Sequence, residues 1–315
     1  MLITAKTIER ATIVTNDRVL HIKGLNAGLN FEFYHEQESS YEGVTYLKTP
    51  EDNDKICEIF SPDFKCEYEN HYFVINDEDI TVYCWEKGRL RAVDRDSLVF
   101  YNDFSNRKIF PKNIEQIILM DMLRNKSITI MYVGGYFGTG KSFLTTTYAI
   151  EQLKKGKIDK IVYVPNNSQT KDSMEIGTMP GDEYDKVRPY LGTLVDIIGE
   201  FEVQNLYAKG ELELMPISLA RGRNLEKSII LVNEAQNLTE YHIKLLLGRV
   251  AEGSRIIFDG DLKQTDQKVF EDHSGLKLLT KLSESKEFGE LFGTVTLKKT
   301  ERSKTAEAAQ YLDEL

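Results

Sequence analysis

No run of apolar residues in this chain approaches the roughly 18 that a membrane-spanning helix needs. No stretch reads as a secretory signal, and the closing LDEL is only a faint echo of a retention tetrapeptide. Cysteine is scarce. Cys57, Cys66 and Cys84 are odd in number and lack zinc-ligand spacing, which excludes a disulfide scaffold and points to free thiols in the cytoplasm. Excess positive charge is missing too. A formal net charge of -10 argues against strong non-specific nucleic-acid binding, although it leaves room for a local basic groove. The histidines have no metal-ligand spacing, and neither internal repeats nor low-complexity segments occur. What remains is an ordinary globular composition, 41% hydrophobic and 29% charged over 315 residues, enough for one large domain or two smaller ones.

Two kinds of pattern divide the chain near residues 105 to 111. In residues 1–106, ATIVT and FEFY read as strands flanking a helix that stops at Gly28. The later HYFVINDEDITVYCWEKGRLRAV carries hairpin signals. DFSNRKIFPKN reads as a linker. Residues 107–315 then alternate: NIEQIILMDMLR helical, SITIMYV strand, KSFLTTTYAIEQLKKG helical, and KIVYV, SIILV and SRIIF strands. That alternation predicts an α/β fold, a mostly parallel sheet covered on both faces, behind a smaller, β-rich amino-terminal region.

The strongest motif is GYFGTGKS, residues 135 to 142, with the P-loop spacing between a strand and a helix. Gly135, Gly138 and Gly140 free the backbone around Thr139 to wrap amides about a phosphate at a helix amino terminus, next to Phe143. Lys141 neutralises the β- and γ-phosphates, and the Ser142 hydroxyl holds Mg²⁺. Hydrolysis also needs a carboxylate to orient water and groups that sense the γ-phosphate. Glu234 ends one buried strand; Asp261 and Gln264 end another. Structural roles for these side chains, a capping acid or a loop glutamine, remain open at this point.

The order NIEQ, GYFGTGKS, MPGDEYDKVRPYL, ARGRNLEKSIILVNEAQNLT, IIFDGDLKQTD and LKKTERSKTAEAAQYL closely resembles the PhoH family from about Pro111 to Leu312. The resemblance implies a RecA-like P-loop NTPase core, similar to the first motor domain of superfamily-one helicases, in a cytosolic Mg²⁺-dependent ATPase. It also implies roles: Gln116 reads adenine, Glu234 is the catalytic glutamate, Asp261 with Gln264 senses the γ-phosphate, and Arg302 approaches the phosphates. Arg221 and Arg223 fill an RGR motif. With one motor domain per chain, a transition-state arginine must come from a neighbouring subunit. The expectation is a homo-oligomeric ring, a hexamer as the family implies, with Arg221, Arg223 and Arg249 as interface candidates. Single-stranded RNA is the implied partner; a nucleotide-gated scaffold with little turnover is the alternative.

Two departures stand out. PNNSQTKDS replaces the basic or proline-rich segment that usually follows the KIVYV strand. Asn233 stands where the family has an aspartate that steadies Mg²⁺. One unit charge about 4 Å away is worth roughly 4 kcal/mol at an effective dielectric near 20, an upper figure for an open site. Asp259 is an extra acid on another strand. If the strand order is helicase-like, SRIIFD lies between the P-loop strand and SIILVN, and Asp259 ends beside Asn233. Restored charge, weakened activity and nucleotide binding without hydrolysis all stay open. Residues 11–34 resemble the last strand–helix–strand unit of a PIN nuclease domain, with Asp17 at a metal-ligand position. The other carboxylates of such a site are missing, so Asp17 is expected to cap a helix and nuclease activity is not expected. Tyr83 and Trp85 are expected in the core of the small β unit, or else as a stacking surface for RNA.

Overall fold

A computed structural model of the chain describes residues 12–14, 23–24, 28–32, 41–102, 107–165, 183–262, 264, 274–305, 308 and 311. Asp17, the NNSQTKDS that follows Pro165, and MPGD (residues 179–182) lie outside them. The chain divides into two compact units, Met1–Ser40 and Tyr41–Leu315. In the first, strands β1 (Thr12–Val14) and β2 (Asn30–Glu32) pair in parallel, Thr12 opposite Asn30. Gly28 between them takes a left-handed φ of 72°.

In the second unit, a four-stranded sheet has the order β3 (Val44–Lys48), β4 (His71–Asn76), β5 (Ile80–Glu86), β6 (Arg89–Ala92). Helix α1 (Asn53–Ile59) covers one face. Trp85 is 6% exposed and meets Phe64 edge-on at 5.3 Å, while Tyr83 packs against Phe60, so Trp85 is core and offers no stacking platform. The expected linker is partly a hairpin: β8 (Arg107–Ile109) pairs with β7 (Phe100–Asn102). Tyr72, Cys84, Leu98 and Phe100 share one hydrophobic core with Ile118, Met122 and Val295. The small sheet thus belongs to the same compact unit as the α/β sheet, and the observed division falls after Ser40.

His71 on β4 is buried, with Thr45 Oγ1 2.8 Å from Nε2 and the Tyr41 hydroxyl 3.3 Å from Nδ1. Burial pulls its pKa from 6.5 down to about 4. Between those values the unfolded chain binds a proton that the folded chain refuses, so stability falls as pH is lowered through that window. At pH 5 the loss is roughly 2 kcal/mol. Denaturant unfolding of wild type and His71→Gln at pH 7 and pH 5 checks this. The wild type should lose about that much more than the variant, and parallel pH profiles would contradict it.

Beyond Pro111 the chain builds a six-stranded, wholly parallel sheet of order β11 (Leu212–Leu214), β10 (Lys160–Val164), β12 (Ser228–Val232), β13 (Arg255–Gly260), β9 (Ile130–Gly135), β14 (Phe292–Leu297). This is the RecA-like arrangement, with one strand inserted between the P-loop strand β9 and the acid-bearing β12. Helices α2 (Ile114–Arg124) and α3 (Lys141–Lys154) pack on it. Asn113 starts α2 by accepting the Gln116 amide at 2.9 Å. Buried Asp121 fixes the helix to the small sheet: it accepts the Tyr72 hydroxyl at 2.8 Å and the Nη2 and Nη1 of Arg91 at 2.7 and 3.2 Å. Among the described residues no helix is long and apolar enough to cross a membrane.

Candidate nucleotide site

Residues 136 to 140 join β9 to α3 at the carboxyl end of the sheet, where open α/β folds place their ligands. Gly135, Gly138 and Gly140 have φ of 128°, 74° and 97°, values that other residues adopt only with strain. Thr139 is fully buried and braces the loop by donating its hydroxyl to the Tyr136 carbonyl at 2.8 Å. Lys141 lies across the loop, donating to the carbonyls of Gly135 at 2.6 Å and Tyr136 at 2.9 Å. Phe143, one residue past Ser142, is partly exposed on the first turn of α3.

Gln116 is buried against this loop. Its Nε2 donates to the Thr139 carbonyl at 2.9 Å, and its Oε1 accepts the Lys112 amide at 2.9 Å. Both contacts fix which end of the amide is oxygen and which nitrogen, and leave one donor and one acceptor position unused by them. The TERS segment closes the other side. The Glu301 amide donates to the Gly138 carbonyl at 2.9 Å, and Asn113 Nδ2 donates to Glu301 Oε1 at 3.0 Å. Arg302 runs over Gly138 so closely that a Cβ there would sit 3.0 Å from Arg302 Cβ.

Asp259, at the end of β13, is buried between β9 and β12. Its Oδ2 accepts the Ser142 hydroxyl at 2.7 Å and its Oδ1 the Glu234 amide at 3.3 Å. Asn233 lines the same small cavity as Ser142 and Asp259, and its own amide donates to the Val164 carbonyl at 3.1 Å. Burial raises the pKa of Asp259, while the Lys141 ammonium and the Ser142 hydroxyl pull it down. Glu234 follows β12 in a left-handed conformation, φ 51° and ψ 46°, an uncommon state for a residue with a side chain and one that clusters at functional sites.

Gln236, for which the sequence alone indicates no role, sits at the centre of this rim. Its Nε2 donates to Glu234 Oε2 at 2.6 Å, and its Oε1 accepts the Asp261 amide at 3.1 Å. The only signal was its place two residues after the glutamate. Gly260 lets it approach, since a Cβ there would meet Gln236 Oε1 at 2.6 Å. Asp261 is buried beside it, and its carbonyl accepts the Gln264 amide at 2.9 Å. The arginine candidates lie elsewhere. Arg223 forms a 2.6 Å ion pair with Glu213 on β11, at the sheet edge far from β14, and Glu213 also pairs with Lys160 at 2.8 Å. Arg249 Nη1 donates to the Arg223 carbonyl at 3.5 Å, and Arg221 is exposed nearby in sequence.

The donor set suits Mg²⁺. A hydroxyl and a carboxylate oxygen 2.7 Å apart, with the Asn233 amide on the same cavity, are hard oxygen ligands of the kind this ion combines with phosphate oxygens and water.

The profile of the PhoH-like protein family matches residues 108–312. Protein PhoH2 of Mycolicibacterium smegmatis is 27% identical over 317 residues, covering 95% of this chain and 69% of that protein. Protein PhoH2 of Thermobispora bispora is 26% identical over 310 residues, covering 93% and 68%. A PhoH-like protein of Bacillus subtilis is 36% identical over 136 residues, 42% of each chain. Among solved structures, the Pif1 helicase from Candida albicans superposes with a TM-score of 0.31 at 16% identity, covering 65% of this chain and 43% of that one. With the family profile spanning more than half of its length, and the P-loop, the NEAQ segment and Gly260, Asp261 and Gln264 gathered at the carboxyl end of one sheet, the chain belongs to the PhoH-like protein family.

Proposed function

We propose that the chain hydrolyses ATP with Mg²⁺ at the carboxyl edge of this sheet. The observation that carries the reading is Glu234, held in a strained conformation beside the P-loop serine through Asp259 and turned by Gln236. In this reading the loop amides and Lys141 take the β- and γ-phosphates. Mg²⁺, when bound, screens the charge that develops between them. Glu234 accepts the proton of the attacking water, and Gln236 holds its carboxylate in place. Asp261 and Gln264 face the γ-phosphate end, and Arg302 lies along the loop. The locked amide of Gln116 sets the base. A 6-amino group beside a ring-nitrogen acceptor matches its oxygen and N–H, whereas a 6-oxo purine offers two acceptors and leaves the oxygen opposed. The three unpaired cysteines fit a cytoplasmic setting.

A ring of such chains acting on single-stranded RNA is part of the proposal and is carried over from the family resemblance. Arg223 is committed to Glu213 within its own chain, which leaves exposed Arg221 as the better arginine to reach a neighbour's phosphates. The test is phosphate release from Mg·ATP and Mg·GTP, with and without RNA, for wild type and Gln116→Ala. ATP should be preferred by about tenfold or more, the cost of one unsatisfied polar contact, and the preference should collapse in the variant. Tight nucleotide binding with no phosphate release would instead make the chain a nucleotide-held scaffold.

A further inference from the structure

We infer that Asp259 is the carboxylate that holds the nucleotide-bound Mg²⁺, with Asn233 reduced to a neutral neighbour. The inference rests on the nucleotide reading above and deepens it. The acidic side chains of Glu234 and Asp259 at this end of the sheet are differently committed. The Glu234 carboxylate is turned to Gln236 Nε2 at 2.6 Å. The Asp259 carboxylate touches the Ser142 hydroxyl itself at 2.7 Å. Asn233 lines the same cavity but carries no charge. A divalent cation held by the serine hydroxyl and by phosphates is bound more tightly beside a protein carboxylate, and the side chain already in contact with that hydroxyl supplies one.

Strand order makes the position equivalent to one on β12. β13 lies directly between β9 and β12, with Val232 opposite Phe258 and Asp259 opposite Val133. A carboxylate just past the Val232–Phe258 pair therefore meets the start of α3 from either strand. Asp259 also accepts the Glu234 amide at 3.3 Å, so one carboxylate joins the metal-side serine to the backbone of the hydrolytic glutamate. An acid on β13 can thus serve the metal directly while orienting its neighbour.

The experiment uses Mn²⁺ as a spectroscopic stand-in and reads binding, not turnover. Mn²⁺ affinity is measured by electron paramagnetic resonance in the presence of ADP, and a fluorescent ADP analogue is titrated in EDTA and in Mg²⁺. The proteins are wild type, Asp259→Asn, Asn233→Asp and the double exchange. Wild type should bind Mn²⁺ with ADP. Asp259→Asn should lose about tenfold or more of that affinity, scaled down from the Coulombic limit for a site open to water, yet bind the analogue in EDTA at least as tightly as wild type does, since a negative charge beside the phosphates has been removed. Asn233→Asp in the Asp259→Asn background should regain much of the loss. Unchanged Mn²⁺ affinity in Asp259→Asn overturns the assignment. So does a double exchange that regains nothing, since the loss would then come from the broken bonds to Ser142 and Glu234. Wild type that binds no ADP even in EDTA removes the nucleotide reading, and the metal assignment with it.

Discussion

Glu234→Gln is expected to lower the rate of phosphate release from Mg·ATP by about 10²–10⁴-fold, the range for losing a positioned general base, while ATP affinity shifts far less. The substitution is nearly isosteric. An amide oxygen at this position still accepts from Gln236 Nε2, so the 2.6 Å contact and the left-handed backbone can both survive. What disappears is the ability to take a proton. Gln236→Ala is expected to fall between the two, with about a tenfold loss, because the carboxylate remains but its orientation is released. Single-turnover hydrolysis alongside equilibrium ATP binding separates these effects. A Glu234→Gln protein that turns over at the wild-type rate would remove Glu234 from the chemistry, and matched losses of binding and rate would point to damaged structure.

Gly135→Ala is expected to cost more stability than the same change at Gly138 or Gly140, where an added Cβ meets only side-chain atoms at 3.0 Å or beyond. Gly135 ends β9 with φ 128°, paired to Leu297 of β14. A Cβ there would lie 2.1 Å from the Leu297 carbonyl oxygen and 2.9 Å from its carbon, and both are backbone atoms of a buried strand. The backbone conformation costs roughly 1–2 kcal/mol in a residue with a side chain, and displacing a packed strand roughly 1–3 kcal/mol more. About 3 kcal/mol or more is expected in total, a drop in melting temperature of about 5 °C or more. Gly156→Ala is the control. It shares a positive φ, 62°, but nothing lies within 4 Å of its Cβ position, so only the smaller conformational cost should appear. Equal melting temperatures for the two variants would refute the steric argument.

Much of the α/β sheet is legible in the sequence because its central strands are continuous apolar runs and helix α2 carries a local start signal. IVYV, SIILV and RIIF are buried throughout, and Asn113 caps α2 as its side chain can wherever the next residues turn helical. β14 is not legible in the sequence because FGTVTL breaks its apolar run with Gly293 and two threonines. Packing explains the break: a Cβ at Gly293 would sit 2.7 Å from the Met122 methyl of α2, and Thr294 is buried all the same. β8 reads as a linker because RKI is short, charged and close to Pro111, and it becomes a strand only by pairing with β7. The small sheet reads as separate from the α/β sheet because nothing local announces the Asp121–Arg91–Tyr72 contacts that tie them.

The phosphate loop was determined by the sequence itself. Its glycines, lysine and serine act through backbone freedom and a helix terminus within eight residues, and that chemistry needs no distant partner. The surroundings of the loop were decided by tertiary structure. Lys112 and Thr139 lock Gln116, Glu301 docks on Gly138, and Asp259 reaches Ser142 from 117 positions away because β13 lies between β9 and β12. Hydrogen bonds of about 3 Å depend on strand order and register, and parallel strands take their order from crossovers across the whole sheet, beyond what any local pattern of residues specifies.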